Sequence, residues 1–309
     1  MAAGAVEVEP GTGRARSPLA GQLAMLASVT CFALSFSVIK WPGTSGAVIA
    51  WWRLAVSTGL WWALLLVRRR RTGRALPSRD TWRAVAPAAL CFGVNISVLF
   101  TAVTRTSVIH AEFISALTPL VLPVLGLLLF RERPHWRSLR WGALTLAGIV
   151  IVLATSPAGG VATVGGDLLM LVSVAAYIGY LLNTKRARAA GVQTVEFMAI
   201  MMPVALITAT PVALWVSADE FIPRDRTTWA AIGILAVLTG MAAHGFLVFA
   251  QRSVPISQIG VIQSSQPAQS TFWAWVFLGE AVAVAQIPGM ALAVIGSALV
   301  VWTAHRARD

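Results

Sequence analysis

Three glutamines at three-residue spacing, Gln263, Gln266 and Gln269, stand within an apolar run together with Ser264 and Ser265 and are followed directly by Ser270. On a helix this spacing holds them within one broad face. Carboxamides both donate and accept hydrogen bonds, so such a face can receive a polar solute or tie one helix to another. Glu112 is the one carboxylate clearly inside an apolar run. There it can bind and release a proton, neutralise a cation, or pair with Arg53, which lies at similar depth in another run. Arg53 would equally suit a substrate carboxylate through its planar fork. His244, near the middle of a later apolar run, carries an imidazole that ordinarily titrates near neutrality, with simple packing as the competing reading. Asn95 holds nearly the corresponding place in the first half of the chain. Tyr177 and Tyr180, with Trp273 and Trp275, can supply aromatic walls for an apolar or cationic substrate.

The elements that must position these groups are membrane helices. Apolar residues make up 57% of the chain and charged ones 12%, which excludes an ordinary soluble domain of this length. The net charge of +12 does not point to nucleic acid, because the arginines sit in short clusters between apolar runs and form neither one face nor one arm. Cys31 and Cys91 fall inside apolar runs without metal-ligand spacing or a disulfide framework. No zinc motif, nucleophile elbow or phosphate-binding glycine loop occurs, and no soluble domain is present to bind ATP. The expectation is a protein that is not an enzyme and has no cofactor.

Counting stretches of about 20 apolar residues, the length that crosses a hydrocarbon core, predicts ten spans: 19–40, 45–67, 82–104, 107–130, 139–154, 167–183, 195–217, 228–250, 256–278 and 282–303. Arg68 to Arg71, Arg74, Arg79, Arg83, Arg131, Arg133, Arg137, Arg140, Lys185, Arg186 and Arg188 all fall on one side if the N-terminus is cytoplasmic. The opposite side holds Lys40, Arg105, Arg224 and Arg226, the last two diluted by Asp219, Glu220 and Asp225. Basic loops stay inside, so both termini are expected in the cytoplasm. Trp41, Trp51, Trp52, Trp82 and Trp302, close to span ends, read as interfacial anchors.

The second half repeats the first. Arg105, Ser115-Ala116-Leu117-Thr118-Pro119 and Arg131-Glu132 in one half answer to Arg252, Gln263-Ser264-Ser265-Gln266-Pro267 and Gly279-Glu280 in the other. The proline-to-glutamate distance is the same in both, and Gly148 and Gly296 follow at matching depth. Five spans per copy is an odd number, so the second copy enters the membrane from the opposite side. The fold expected is all-α and integral to the membrane, ten transmembrane helices as two inverted five-helix repeats. Its parts are a disordered cytoplasmic tail at 1–18, a first repeat at 19–154, an external linker at 155–166, a second repeat at 167–303 and a C-terminal tail at 304–309. Pro119 and Pro267 would each remove a backbone donor near the midplane of a helix and are candidate hinges.

The stretch Ala102-Val103-Thr104-Arg105-Thr106-Ser107, the core Ala116-Leu117-Thr118-Pro119-Leu120, Phe130-Arg131-Glu132-Arg133 and the helix from Gly142 to Gly148, echoed in the second half, resemble the EamA family of the drug/metabolite transporter superfamily. That resemblance implies an inner-membrane exporter of small metabolites, amino acids or drugs that works by alternating access, often with proton exchange. The glutamine-rich ninth span departs from the family's commoner pattern. The partners expected are a small-molecule substrate, protons and the lipid bilayer, and no nucleic acid. Arg53 and the glutamine face favour a polar, zwitterionic substrate, whereas Glu112 with aromatic neighbours favours efflux of organic cations.

Overall fold

The computed structural model describes residues 18–42, 44–103, 105, 114–115, 118–131, 136–155, 164–217, 221–263, 265–278 and 284–306, and among them only helices, turns and bends occur. We number the helices α1 (Pro18–Lys40), α2 (Gly46–Thr72), α3 (Arg79–Val103), α4 (Thr118–Phe130), α5 (Trp136–Ala154), α6 (Val164–Ala189), α7 (Thr194–Ser217), α8 (Arg226–Ala250), α9 (Ile256–Gln263), α10 (Gln266–Leu278) and α11 (Ile287–Arg306). Six of them, α1, α2, α3, α6, α7 and α8, are long and apolar enough to cross a membrane by length and composition.

Local chemistry explains several boundaries. Helix α2 outruns the expected apolar span and carries Arg68 to Arg71 on its last turns, because arginine is a good helix former. It ends at Gly73, whose φ of 66° is left-handed and whose N–H bonds Arg69 O at 2.9 Å. Asp225 caps α8, accepting from Thr228 N and Thr228 Oγ1, both at 2.6 Å. The Thr228 hydroxyl, and then its backbone N–H, hold the Asp225 carboxyl below the ordinary carboxylate range. The folded-state value therefore lies under the unfolded one. The cap's contribution is complete above the unfolded value and fades as pH falls through the lowered one. Asp225→Asn keeps a capping acceptor, so it is expected to melt near wild type at neutral pH and to lose part of the wild type's acid sensitivity. Melting curves of the two proteins across an acid pH series check this, and identical acid limbs would count against it.

Part of the packing pattern survives exchange of the two halves. Helix α3 lies along α6 and α7, and its counterpart α8 lies along α1 and α2. Helix α2 packs with its counterpart α7 and α5 with α11, whereas α4 meets α9 and α1 lies along α10. The main core gathers Met25, Leu54, Phe92, Tyr180, Phe197 and Leu247, each at most 1% exposed. Large apolar side chains such as Leu128, Ile207 and Trp215 remain exposed, as expected of surfaces that meet lipid instead of water. Where α5 crosses α11, a Cβ on Gly148 would lie 2.5 Å from Gly289 O and from Ala293 N, and one on Gly289 would lie 2.6 Å from Gly148 O. The two backbones touch there.

The ninth predicted span, expected as one helix over 256–278, is divided. Helix α9 stops at Gln263, Ser265 forms a turn with its N–H on Ile262 O at 3.2 Å, and α10 starts at Gln266. Pro267 is the second residue of α10. It sits in the first turn, where a helix needs no N–H, so the missing donor is harmless. Pro119 lies near the described start of α4, and residues 116–117 just before it lie outside the described residues. Pro267, a candidate hinge, thus stands at the start of a helix segment.

Helix α8 is interrupted in another way. Residues Ala236–Ala243 wind as a π-helix between two α-helical segments. This wide turn is rare, and single-turn examples gather at functional sites. Its carbonyls are met by the other half of the molecule: Trp61 Nε1 donates to Gly240 O at 2.7 Å and Ser28 Oγ to Ala243 O at 2.7 Å. A Cβ on Gly240 would fall 1.9 Å from Ser57 Oγ, so glycine is what admits α2 to this turn.

Candidate functional site

His244 follows the π turn directly and is 2% exposed. Three aromatic rings from three helices close on it: Phe92 of α3 at 4.5 Å, Phe32 of α1 at 4.8 Å and Tyr180 of α6 at 6.0 Å between centroids. The Tyr180 hydroxyl lies 3.4 Å from His244 Nδ1. Tyr177 precedes Tyr180 on α6, with ring centroids 5.8 Å apart, and its hydroxyl receives a hydrogen bond from Gln263 Nε2. Gln263, Tyr177, Tyr180 and His244 are thereby joined into one buried polar line that crosses α9, α6 and α8. Gln263 Oε1 has no partner among the described residues.

The other glutamines of the triplet divide. Gln269 ties α10 to α1, with Oε1 2.8 Å from Thr30 Oγ1, and its Nε2 reaches Ser265 Oγ at 3.0 Å across the break. Gln266 is half-buried as the first residue of α10. Farther along α10, Ser270 Oγ and Trp273 Nε1 are buried and, like Gln263 Oε1, without partners among the described residues.

Arg53 is 4% exposed on α2. Its Nη1 donates to Thr239 Oγ1 inside the π turn, and its guanidinium carbon stands 5.3 Å from the centroid of the Phe100 ring. Thr239 lies close to His244 along α8, so Arg53 adjoins the polar line without bonding to it. Asn95, by contrast, is committed to a helix tie. Its Nδ2 donates to Ser173 O at 3.0 Å and Ser173 Oγ at 2.9 Å, binding α3 to α6. Glu112 lies outside the described residues, as does His110.

Thr30, Thr239, Phe32, Phe92 and Phe100 also take part, although spacing did not single them out. For the two threonines a signal was present, since each is a polar residue within an apolar run. Trp51 and Trp52, expected as interfacial anchors, belong to an aromatic cluster with Phe221 and Trp229. Trp52 Nε1 bonds Phe221 O at 2.7 Å and Trp51 Nε1 bonds Thr210 Oγ1 at 3.0 Å. Links between the halves occur at both ends of the bundle. At the arginine-rich end Gln22 Nε2 meets Gln258 Oε1 at 3.2 Å, while at the other end the Thr44 and Thr228 hydroxyls are 2.7 Å apart.

Fold and site together define a multi-pass membrane protein whose two related halves enclose buried polar groups. Residues 19–154 and 164–302 each match the sequence model of the EamA-like transporter family. The chain belongs to that family, and so to the drug/metabolite transporter superfamily. The uncharacterized transporter YcbK of Bacillus subtilis (strain 168) is 20% identical over 297 residues, covering 89% of this chain and 90% of that protein. A solved crystal structure with 19% identity covers 94% of this chain and 99% of its own, with a TM-score of 0.73. At that identity the likeness speaks for the fold alone.

Proposed function

We propose that the protein is a secondary active exporter of small polar metabolites or amino acids across the bacterial cytoplasmic membrane, working by alternating access. The observation that carries this reading is the run of buried polar atoms on the divided ninth span, Gln263 Oε1, Ser270 Oγ and Trp273 Nε1, that have no partner among the described residues. A buried polar atom without a partner costs on the order of 1–3 kcal/mol, and a solute carrying donors and acceptors offsets that cost. Broken helices at the interface of two repeats are where carriers bind their solutes. The recurrence of the Pro119 and Pro267 segments in the two halves of the sequence supports ten spans arranged as two inverted repeats. The arginines at one end of the bundle support cytoplasmic termini.

Efflux of organic cations is the second reading, favoured by the aromatic side chains near the centre. Phe32, Phe92 and Tyr180, however, spend their ring contacts on His244, which favours a hydrogen-bonding solute. Links between the halves at both ends favour a carrier over a permanently open channel. Glu112 is the proposed proton-coupling group.

Counterflow in proteoliposomes tests the proposal, with amino acids and organic cations loaded under an imposed pH gradient. Saturable exchange of polar solutes is expected, driven by the gradient in wild type and independent of it in Glu112→Gln. Flux that rises linearly with concentration, or exchange restricted to lipophilic cations, would overturn it.

A further inference from the structure

We infer that Arg53 is the docking point for a carboxylate on the transported solute, which makes the substrate class anionic or zwitterionic carboxylates and excludes simple amines. The inference rests on the transporter reading and narrows it. Arg53 stands seven residues beyond Gly46, the first residue of α2, roughly 10 Å along the helix axis at 1.5 Å per residue. A guanidinium at such depth, 4% exposed, calls for an anion.

Its contacts among the described residues supply none. Thr239 offers a neutral hydroxyl and Phe100 the face of a ring. Asp80, Asp167 and Glu196 stand in the first turns of α3, α6 and α7, and Asp225 caps α8. None of these four, the carboxylates among the described residues, forms an ion pair with Arg53. Arg53 Nε has no partner among the described residues. The guanidinium edge that carries Nε is one of those a carboxylate engages through two parallel hydrogen bonds. Thr239 and Phe100 therefore orient the fork without neutralising it. Thr239 also fastens it to the π turn of α8, beside His244 and the tyrosine line.

Two measurements test the site separately from transport. Purified protein is titrated by thermal shift with amino acids, dicarboxylates and their amides, and the same compounds are offered for exchange in proteoliposomes. Carboxylates are expected to raise the melting temperature while their amides do not. Arg53→Lys, which keeps the charge, is expected to weaken the carboxylate response tenfold or more, and Arg53→Gln to erase the preference over amides. Should Arg53→Gln fail to fold, an unchanged affinity in Arg53→Lys overturns the inference. So does a wild type that treats carboxylates and amides alike or responds to neither. Stabilisation by carboxylates of Glu112→Gln but not of wild type also overturns it, because the anion at Arg53 is then the chain's own. Carboxylate-selective binding without exchange of any compound sinks the transporter reading and leaves the site standing. Exchange indifferent to the carboxyl group does the reverse.

Discussion

Gly148→Val is expected to destabilise the folded protein by about 1–3 kcal/mol, the usual cost of forcing side-chain volume into a packed contact. The reason is the nature of the neighbours. A Cβ at Gly148 meets Gly289 O and Ala293 N at 2.5 Å, and backbone atoms cannot turn aside as a side chain would. Helix α11 must then move bodily away from α5, losing close contact along the whole crossing. Small residues matter most in membrane bundles for this reason, because tight van der Waals approach replaces the hydrophobic effect between helices. Gly289→Ala demands the same separation from the other side. The double variant should therefore lose less than the sum of the two single losses. Denaturant unfolding of purified single and double variants measures both effects. A Gly148→Val protein as stable as wild type would show that the two backbones do not meet.

Gln263→Leu should reduce apparent substrate affinity by about tenfold, equivalent to the loss of one or two hydrogen bonds to a solute, while thermal stability stays close to wild type. The two readouts separate a binding role from a structural one. Gln263 donates to the Tyr177 hydroxyl and leaves Oε1 unpartnered among the described residues. Leucine removes that tie, yet it also removes a buried acceptor that the folded protein must otherwise desolvate, so the net structural change is small. Half-saturation in counterflow, measured beside the melting curve, decides. Unchanged affinity with a large fall in melting temperature would make Gln263 a helix tie and move the binding site elsewhere. Tyr177→Phe serves as the companion, because it deletes only the acceptor of Gln263 Nε2.

Much of this architecture is legible in the residues, and the exceptions have physical causes. Apolar length announces helices α1, α2, α3, α6, α7 and α8 directly. The repeat is visible in Pro119 and Pro267, each thirteen residues ahead of a glutamate, Glu132 and Glu280. The break before Pro267 has no unambiguous mark in the residues, because proline is compatible both with a kink inside a helix and with the first turn of a new one. The π turn in α8 leaves no mark in hydropathy. Alanine, valine and leucine carry nothing that marks the rarer π form, and the donors that meet its carbonyls, Trp61 and Ser28, come from distant helices. Within the site, the three-residue spacing of Gln263, Gln266 and Gln269 suggests one shared helix face, but cannot say that Gln263 on α9 reaches Tyr177 while Gln269 on α10 meets Thr30. Asn95 illustrates the same gap. Its depth resembles that of His244, yet both hydrogen bonds that its Nδ2 donates go to Ser173.

Ser28 and Trp61 leave the ribosome long before Gly240 and Ala243, so the donors that hold the π turn are already in place when α8 is made. A second half synthesised alone would lack them, and α8 would be free to tighten into an ordinary α-helix. Each residue of register gained or lost turns the following side chains by about 100° at 3.6 residues per turn, carrying His244 away from Tyr180. The shape of the centre thus belongs to neither half alone, because the π turn of the second is held by donors of the first. Although the halves descend from one pattern, they are no longer interchangeable parts.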